Sequence, residues 1–122
     1  MPRILVADND VAQLDLRCRM LEAGGYTVLA AFCPSEALRH LARADLILMD
    51  LRFPNSEGVD DADVGMALIR EIRESGCHLP LIVLSGWPAD LEGQPEEQMV
   101  SRVMVKPVSF ERLLQAVGEL VT

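Results

Sequence analysis

Aromatic residues are scarce in this 122-residue chain: one Trp, one Tyr and three Phe, 4% of the whole. A core of stacked rings is excluded, so the 50% of residues that are hydrophobic must build an aliphatic interior of Leu, Val, Ile, Ala and Met. Basic residues are also few. Lys and Arg number 11 against 19 Asp and Glu, a formal net charge of -8. Such a field repels nucleic acid and anionic lipid, so neither is expected as a direct partner; a metal cation or a basic protein patch suits it better. The cysteines (Cys18, Cys33 and Cys77) are odd in number and lack CxxC spacing, which points to reduced structural thiols and a cytoplasmic home. No apolar run approaches the ~18 residues of a membrane span, and the chain opens on a strand pattern instead of a signal-type segment. A soluble protein of one domain, residues 1–122, is expected.

What is present is a set of short apolar runs that each stop on a chemically useful residue. ILVA ends on Asp8, LILM on Asp50, LIVL on Ser85, and VMV on Lys106-Pro107. Runs this short are strands buried on both faces. Between them lie helical stretches. One spans roughly 11–23, capped by Asn9 or Asp10, with Leu14, Cys18 and Leu21 at helical spacing, and Gly24-Gly25 ends it. A strand over 26–31 precedes a helix from Pro34 to about Ala42. A polar stretch from Arg52 to about Asp63 leads to a stripe of Met66, Leu68, Ile69 and Ile72 that Gly76 stops. Residues 87–98 hold Pro88, Gly93 and Pro95, so a full helix there is not expected. Strand 103–105 and a helix from the Ser109 cap through Val121 complete a βαβαβαβ(α)βα order. That alternation implies a parallel sheet with helices on both faces, and a crevice at the strands' carboxyl ends, where ligands bind in such sheets.

The segments ILVADND, LILMDLRFP, LIVLSG and VMVKP, in this order, make the chain resemble the CheY-like receiver domain of bacterial two-component response regulators over essentially its whole length. One such segment is a weak signal; four at matching strand ends are specific. The resemblance implies a flavodoxin-like, doubly wound five-stranded sheet of order 2-1-3-4-5 with its fourth helix short or irregular. It also implies a phosphoacceptor signalling domain, not an enzyme with an external substrate; at most it would phosphorylate and dephosphorylate itself. Asp50 matches the residue that takes a phosphoryl group from a histidine kinase or phosphotransfer protein. Asp8, Asn9, Asp50 and the backbone carbonyl of Arg52 match the ligands of Mg2+, a cation that takes oxygen donors and keeps several waters. Ser85 and Lys106 match the groups that bind phosphoryl oxygens, and Pro107 a cis-proline that aims the lysine. An ammonium about 4 Å from a carboxylate is worth about 4 kcal/mol at an effective dielectric of about 20, which would hold Lys106 in the crevice. A downstream protein or attached effector domain would receive the signal, and a homodimer is a further form it could take.

The chain departs from the family pattern at several positions. Asn9 stands where a second acid is usual, which implies weaker Mg2+ binding. The loop after Asp50 is long, with Gly58 and Gly65 both candidates for the family's glycine; Gly65 is the better match, leaving an acidic insertion with Glu57, Asp60, Asp61 and Asp63. That insertion is either a solvated loop or a lid over the acceptor. Val103 replaces a switching Tyr or Phe. Arg52 and Trp87 flank the acceptor and should hinder water, giving a long-lived phosphoryl group.

Two other functions compete. Haloacid-dehalogenase-like phosphatases use a similar order, which Asp8-Asn9-Asp10, Ser85 and Lys106 mimic, but Asp50 would then be idle. A receiver-like protein-binding module that works without phosphorylation is the stronger alternative, given Asn9, the insertion and Val103. The isolated His40 and His78 lack metal-ligand spacing, and Asp10 suits a helix cap better than a metal site.

Overall fold

The computed structural model describes residues 2–121. Strands β1 (Arg3–Ala7), β3 (Leu46–Met49) and β6 (Leu81–Ser85) are the unbroken apolar runs, and the sheet shows why they are unbroken. Alternate residues go to opposite faces. Leu5, Ala7, Ile47, Met49, Leu81 and Val83 enter one core, while Ile4, Val6, Leu46, Leu48, Ile82 and Leu84 enter the other. β2 (Thr27–Ala31) and β7 (Arg102–Val105) lie at the edges and are less buried. The order is β2-β1-β3-β6-β7 with every pair parallel, which is the expected 2-1-3-4-5 sheet carrying a short insertion after its third strand.

Two helices cover each face. α1 (Val11–Ala23) and α4 (Phe110–Leu120) pack through Leu14, Leu21, Leu113, Ala116 and Val117. α2 (Pro34–His40) and α3 (Ala62–Glu74) pack on the other side through Ala37, Leu68, Ile69 and Ile72. The Asp10 side chain accepts from the Gln13 N–H at 3.1 Å to cap α1, and Ser109 accepts from the Arg112 N–H at 3.2 Å to cap α4. Between β6 and β7 the chain makes two 3-10 turns, Pro88–Asp90 and Pro95–Met99, in place of an α-helix. Each opens on a proline, which suits a helix's first position but not its interior. Buried Glu96 pairs with Arg70 of α3 at 2.7 Å, and Arg73 donates to the Met99 carbonyl at 2.9 Å, so the irregular segment is pinned.

Several boundaries differ from the sequence expectation. The second strand starts at Thr27 and the last at Arg102. α2 stops at His40, two residues short of Ala42, and a 3-10 turn over Leu41–Arg43 follows. The inward face of α1 carries Leu14, Arg17 and Leu21; Cys18 is only half-buried, though burial pushes its thiol up to about 11 and so keeps it unreactive. The polar stretch after Asp50 is a hairpin, β4 (Phe53–Pro54) with β5 (Asp60–Asp61), running straight into α3. Phe53, fully buried, anchors it. Asn55 organises the turn: its side-chain oxygen accepts from the Glu57 and Val59 N–H groups, and Gly58 takes φ 79, a left-handed value.

Gly65 and Gly58 thus have different reasons to be glycine. A Cβ on Gly65 would lie 2.6 Å from the Leu51 Cα, against backbone that cannot yield, whereas a Cβ on Gly58 meets open space. Gly65→Ala should cost about 3 kcal/mol through overpacking, and Gly58→Ala about 1 kcal/mol through backbone strain. Urea unfolding measures both. A loss at position 65 no larger than that at 58 would contradict the close approach.

Candidate functional site

The backbone ladder delivers the four chemical residues to one edge of the sheet. Ala7 pairs with Met49 across β1 and β3, so Asp8 and Asp50 emerge side by side. Each is held by one further ladder bond: Asp8 N–H donates to Ala31 O at 3.0 Å and Asp50 N–H to Ala7 O at 3.0 Å. Ser85 is the last residue of β6, and the Lys106 N–H donates to its carbonyl at 2.9 Å. The Lys106–Pro107 peptide is cis.

From the β7 end, Lys106 reaches across β6 to both acids. Its Nζ lies 3.3 Å from Asp50 Oδ2 and 3.6 Å from Asp8 Oδ2. One ammonium therefore serves two carboxylates that would otherwise repel each other. Asp8 is only 5% exposed, and its burial pushes the carboxyl above its usual range. The Asp10 N–H, 2.9 Å from Asp8 Oδ1, and the Lys106 charge pull in the opposite direction without cancelling that. Asp50 Oδ1 accepts from the Leu51 N–H at 2.7 Å. The Ser85 side chain is buried; its Oγ accepts from the Trp87 N–H at 2.9 Å, which leaves the hydroxyl hydrogen for another partner.

The Asp50 and Lys106 side chains open on a cleft of about 650 Å³. Its rim is built from residues whose partnerships have no sequence signal. Arg52 donates to Asp90 through Nε at 2.9 Å and through its second guanidinium nitrogen at 3.2 Å, a two-pronged pair across 38 positions of chain. The same guanidinium carbon lies 3.8 Å from the centre of the Trp87 ring, within range of a cation–π contact. The two flanking residues expected from the sequence thus touch each other, and both line the cleft with Asp50. The inserted hairpin also brings Asp60 to Asn9, whose Nδ2 donates to Asp60 Oδ1 at 3.4 Å. Of the other insertion acids, Asp61 caps α3 by accepting from the Asp63 N–H at 2.9 Å, and Glu57 is exposed. Arg17 also lines the cleft and is only 5% exposed. Val103 lies away from it on the edge strand, 37% exposed.

The donors available to a cation are all oxygens: two carboxylates, the Asn9 side-chain carbonyl and the Arg52 backbone carbonyl. That set suits a small hard dication that keeps some of its waters. Among the described residues, no group of three or more His, Cys, Asp or Glu side chains is placed to hold a metal ion. No helix among the described residues is long and apolar enough to cross a membrane.

A doubly wound parallel sheet with acids at the carboxyl ends of two adjacent strands defines a class of α/β binding domain. Within it, the model of the response regulator receiver domain matches residues 4–118, and the chain belongs to that family, a signalling module of two-component systems. It is 32% identical over 119 residues to the transcriptional regulatory protein GlrR of Escherichia coli K12, covering 95% of this chain and 25% of that protein. It is 35% identical over 85 residues to the response regulator MprA of Mycobacterium ulcerans, covering 68% of this chain and 34% of that one. The chain therefore spans between a quarter and about a third of these relatives. The solved structure of response regulator protein TrrA of Thermotoga maritima, in complex with Mg2+-BeF, matches with a TM-score of 0.83 at 25% identity, covering 98% of this chain and 99% of that one.

The electrostatics of Asp8 have a consequence for stability. Its folded-state pKa is raised above 3.8, so the stability linked to this group is fully present below 3.8 and is lost as pH rises through the folded value. Asp8→Asn should therefore raise the urea midpoint of the metal-free protein at neutral pH, and the advantage should shrink in acid. A lower midpoint at neutral pH would contradict the cost assigned to burying this carboxylate.

Proposed function

We propose that the domain accepts a phosphoryl group on Asp50 from the phosphohistidine of a histidine kinase or phosphotransfer protein. The observation that carries this is the Lys106 ammonium 3.3 Å from one Asp50 oxygen, with the other oxygen fixed by the Leu51 N–H. An Asp50 oxygen attacks phosphorus, the O–P bond forms, the N–P bond breaks, and its electron pair leaves with the imidazole nitrogen. Lys106 moves its pairing from the carboxylate to a phosphoryl oxygen as charge develops there. The Ser85 hydroxyl donates its free hydrogen to another. Asp8, Asn9, Asp50 and the Arg52 carbonyl would hold Mg2+, which when bound supplies positive charge against the repulsion between acceptor and incoming group.

Arg52 and Trp87, stacked on each other in the cleft that Asp50 lines, would hinder water at the acyl phosphate and slow its hydrolysis. Output goes to a downstream protein or an attached effector domain. It does not depend on an aromatic swing, because Val103 has no ring to move and the neighbouring segment is two 3-10 turns. The odd number of cysteines without CxxC spacing supports a cytoplasmic location.

Incubation with acetyl phosphate and Mg2+ followed by intact mass measurement tests the acceptor. The unaltered protein should gain one phosphoryl mass and Asp50→Asn none; no gain in the unaltered protein would favour a docking module that works without phosphorylation. Arg52→Ala should shorten the lifetime of the labelled state by about tenfold, equivalent to about 1.4 kcal/mol of barrier. An unchanged lifetime would remove the shielding role. Restoring the acid with Asn9→Asp should tighten Mg2+ by about tenfold in calorimetry, about 1.4 kcal/mol, and equal affinity would show that Asn9 costs nothing.

A further inference from the structure

One side chain in the acceptor cleft is out of place by the ordinary rules of burial. Arg17 sits on the inward face of α1 between Leu14 and Leu21, where helical spacing calls for an apolar residue. It is 95% buried by the measure of its 5% exposure, and its Nε has no hydrogen-bond partner among the described residues. It also joins none of the ion pairs found among the described residues. Arginine is almost never buried unless paired, and removing a buried charge's partner is strongly destabilising. A guanidinium held this way has donor capacity to spare, and it lines the same cleft as Asp50 and Lys106.

The charges inside the cleft support this. Asp8 and Asp50 carry two negative charges, and Lys106 and Arg17 carry two positive ones. Arg52 is already committed to Asp90. With Asn9 neutral, a phosphoryl group adds negative charge to a site whose inner charges already balance, and Arg17 is the cation left without a contact of its own. The guanidinium fork also presents several N–H donors in one plane, the geometry that suits phosphate oxygens.

We propose that Arg17 is a second cation of the acceptor site, binding oxygens of a phosphoryl group at Asp50 together with Lys106. This rests on the acceptor role of Asp50. It carries a cost: a fixed positive charge repels Mg2+, so Arg17 and Asn9 both shift the cleft from metal affinity toward oxyanion affinity. The arrangement is a site that leans on its own cations where a two-acid site leans on the metal.

Beryllium fluoride, as a phosphoryl mimic, and Mg2+ alone are the probes. In saturating Mg2+, Arg17→Met should lose at least about tenfold in beryllium fluoride affinity, read from Trp87 fluorescence, while its affinity for Mg2+ alone rises by about threefold or more in calorimetry. Arg17→Lys, which keeps the charge, should retain most of the anion affinity; a purely structural role would not be rescued this way. In the unaltered protein, the Arg17 Nε–H resonance should shift when beryllium fluoride is added, which needs no variant to fold. An unmoved resonance, or an Arg17→Met protein with both affinities unchanged, overturns the proposal. Failure of the unaltered protein to bind beryllium fluoride overturns the acceptor role of Asp50 and the Arg17 role with it, so the two failures are told apart.

Discussion

A single ammonium shared by two carboxylates is the constraint around which this fold is arranged. Asp8 and Asp50 leave adjacent parallel strands at the same level, because Ala7 and Met49 are in register. Two acids so placed repel each other, and the more buried one resists ionisation. Lys106 offsets both, but only because β7 lies on the far side of β6 and its side chain crosses the intervening strand. The local arrangement therefore depends on the strand order of the whole sheet. The aliphatic cores on the two faces supply the stability that a charged, partly buried site takes away.

The departures from the family pattern form one set when seen in space. Asn9 removes an acid, and the hairpin brings Asp60 to its side chain. Arg52, in the cleft lining, bonds Asp90 and stacks on Trp87. Arg17 is a further buried cation lining the same cleft. Asn9 takes a negative charge out of the cleft lining, and Arg17 puts a positive one into it. The irregular segment between β6 and β7 belongs to the same set, because Asp90 lies in it and its far end is pinned to α3 through Glu96 and Arg73.

Most of the framework was legible in the residues themselves. Unbroken apolar runs of four marked the central strands, and Asn9 or Asp10, Pro34 and Ser109 marked helix starts, because these signals act over one turn or one strand of chain. The terminal chemistry of those strands marked Asp8, Asp50, Ser85 and Lys106 as a group, and the structure brings Asp8, Asp50 and Lys106 into contact with Ser85 beside them. What was hidden depends on distant partners. The hairpin after Asp50 has strands of two residues, too short for alternation to show, and its anchor Phe53 lies inside a stretch that looks polar. The Arg52–Asp90 pair joins segments 38 residues apart. Arg17 escapes a helix period read from apolar residues alone, which passes over a buried guanidinium. Its spacing from Leu14 and Leu21 was the available signal.

The central claim is that phosphorus ends on one particular carboxylate of the two. Borohydride reduction of protein treated with acetyl phosphate and Mg2+, followed by peptide mass mapping, reports which carboxylate carried the acyl phosphate. The account predicts a reduced side chain at position 50 alone, dependent on Mg2+. Reduction at position 8, as a phosphatase-like nucleophile would give, or at no position, would contradict it.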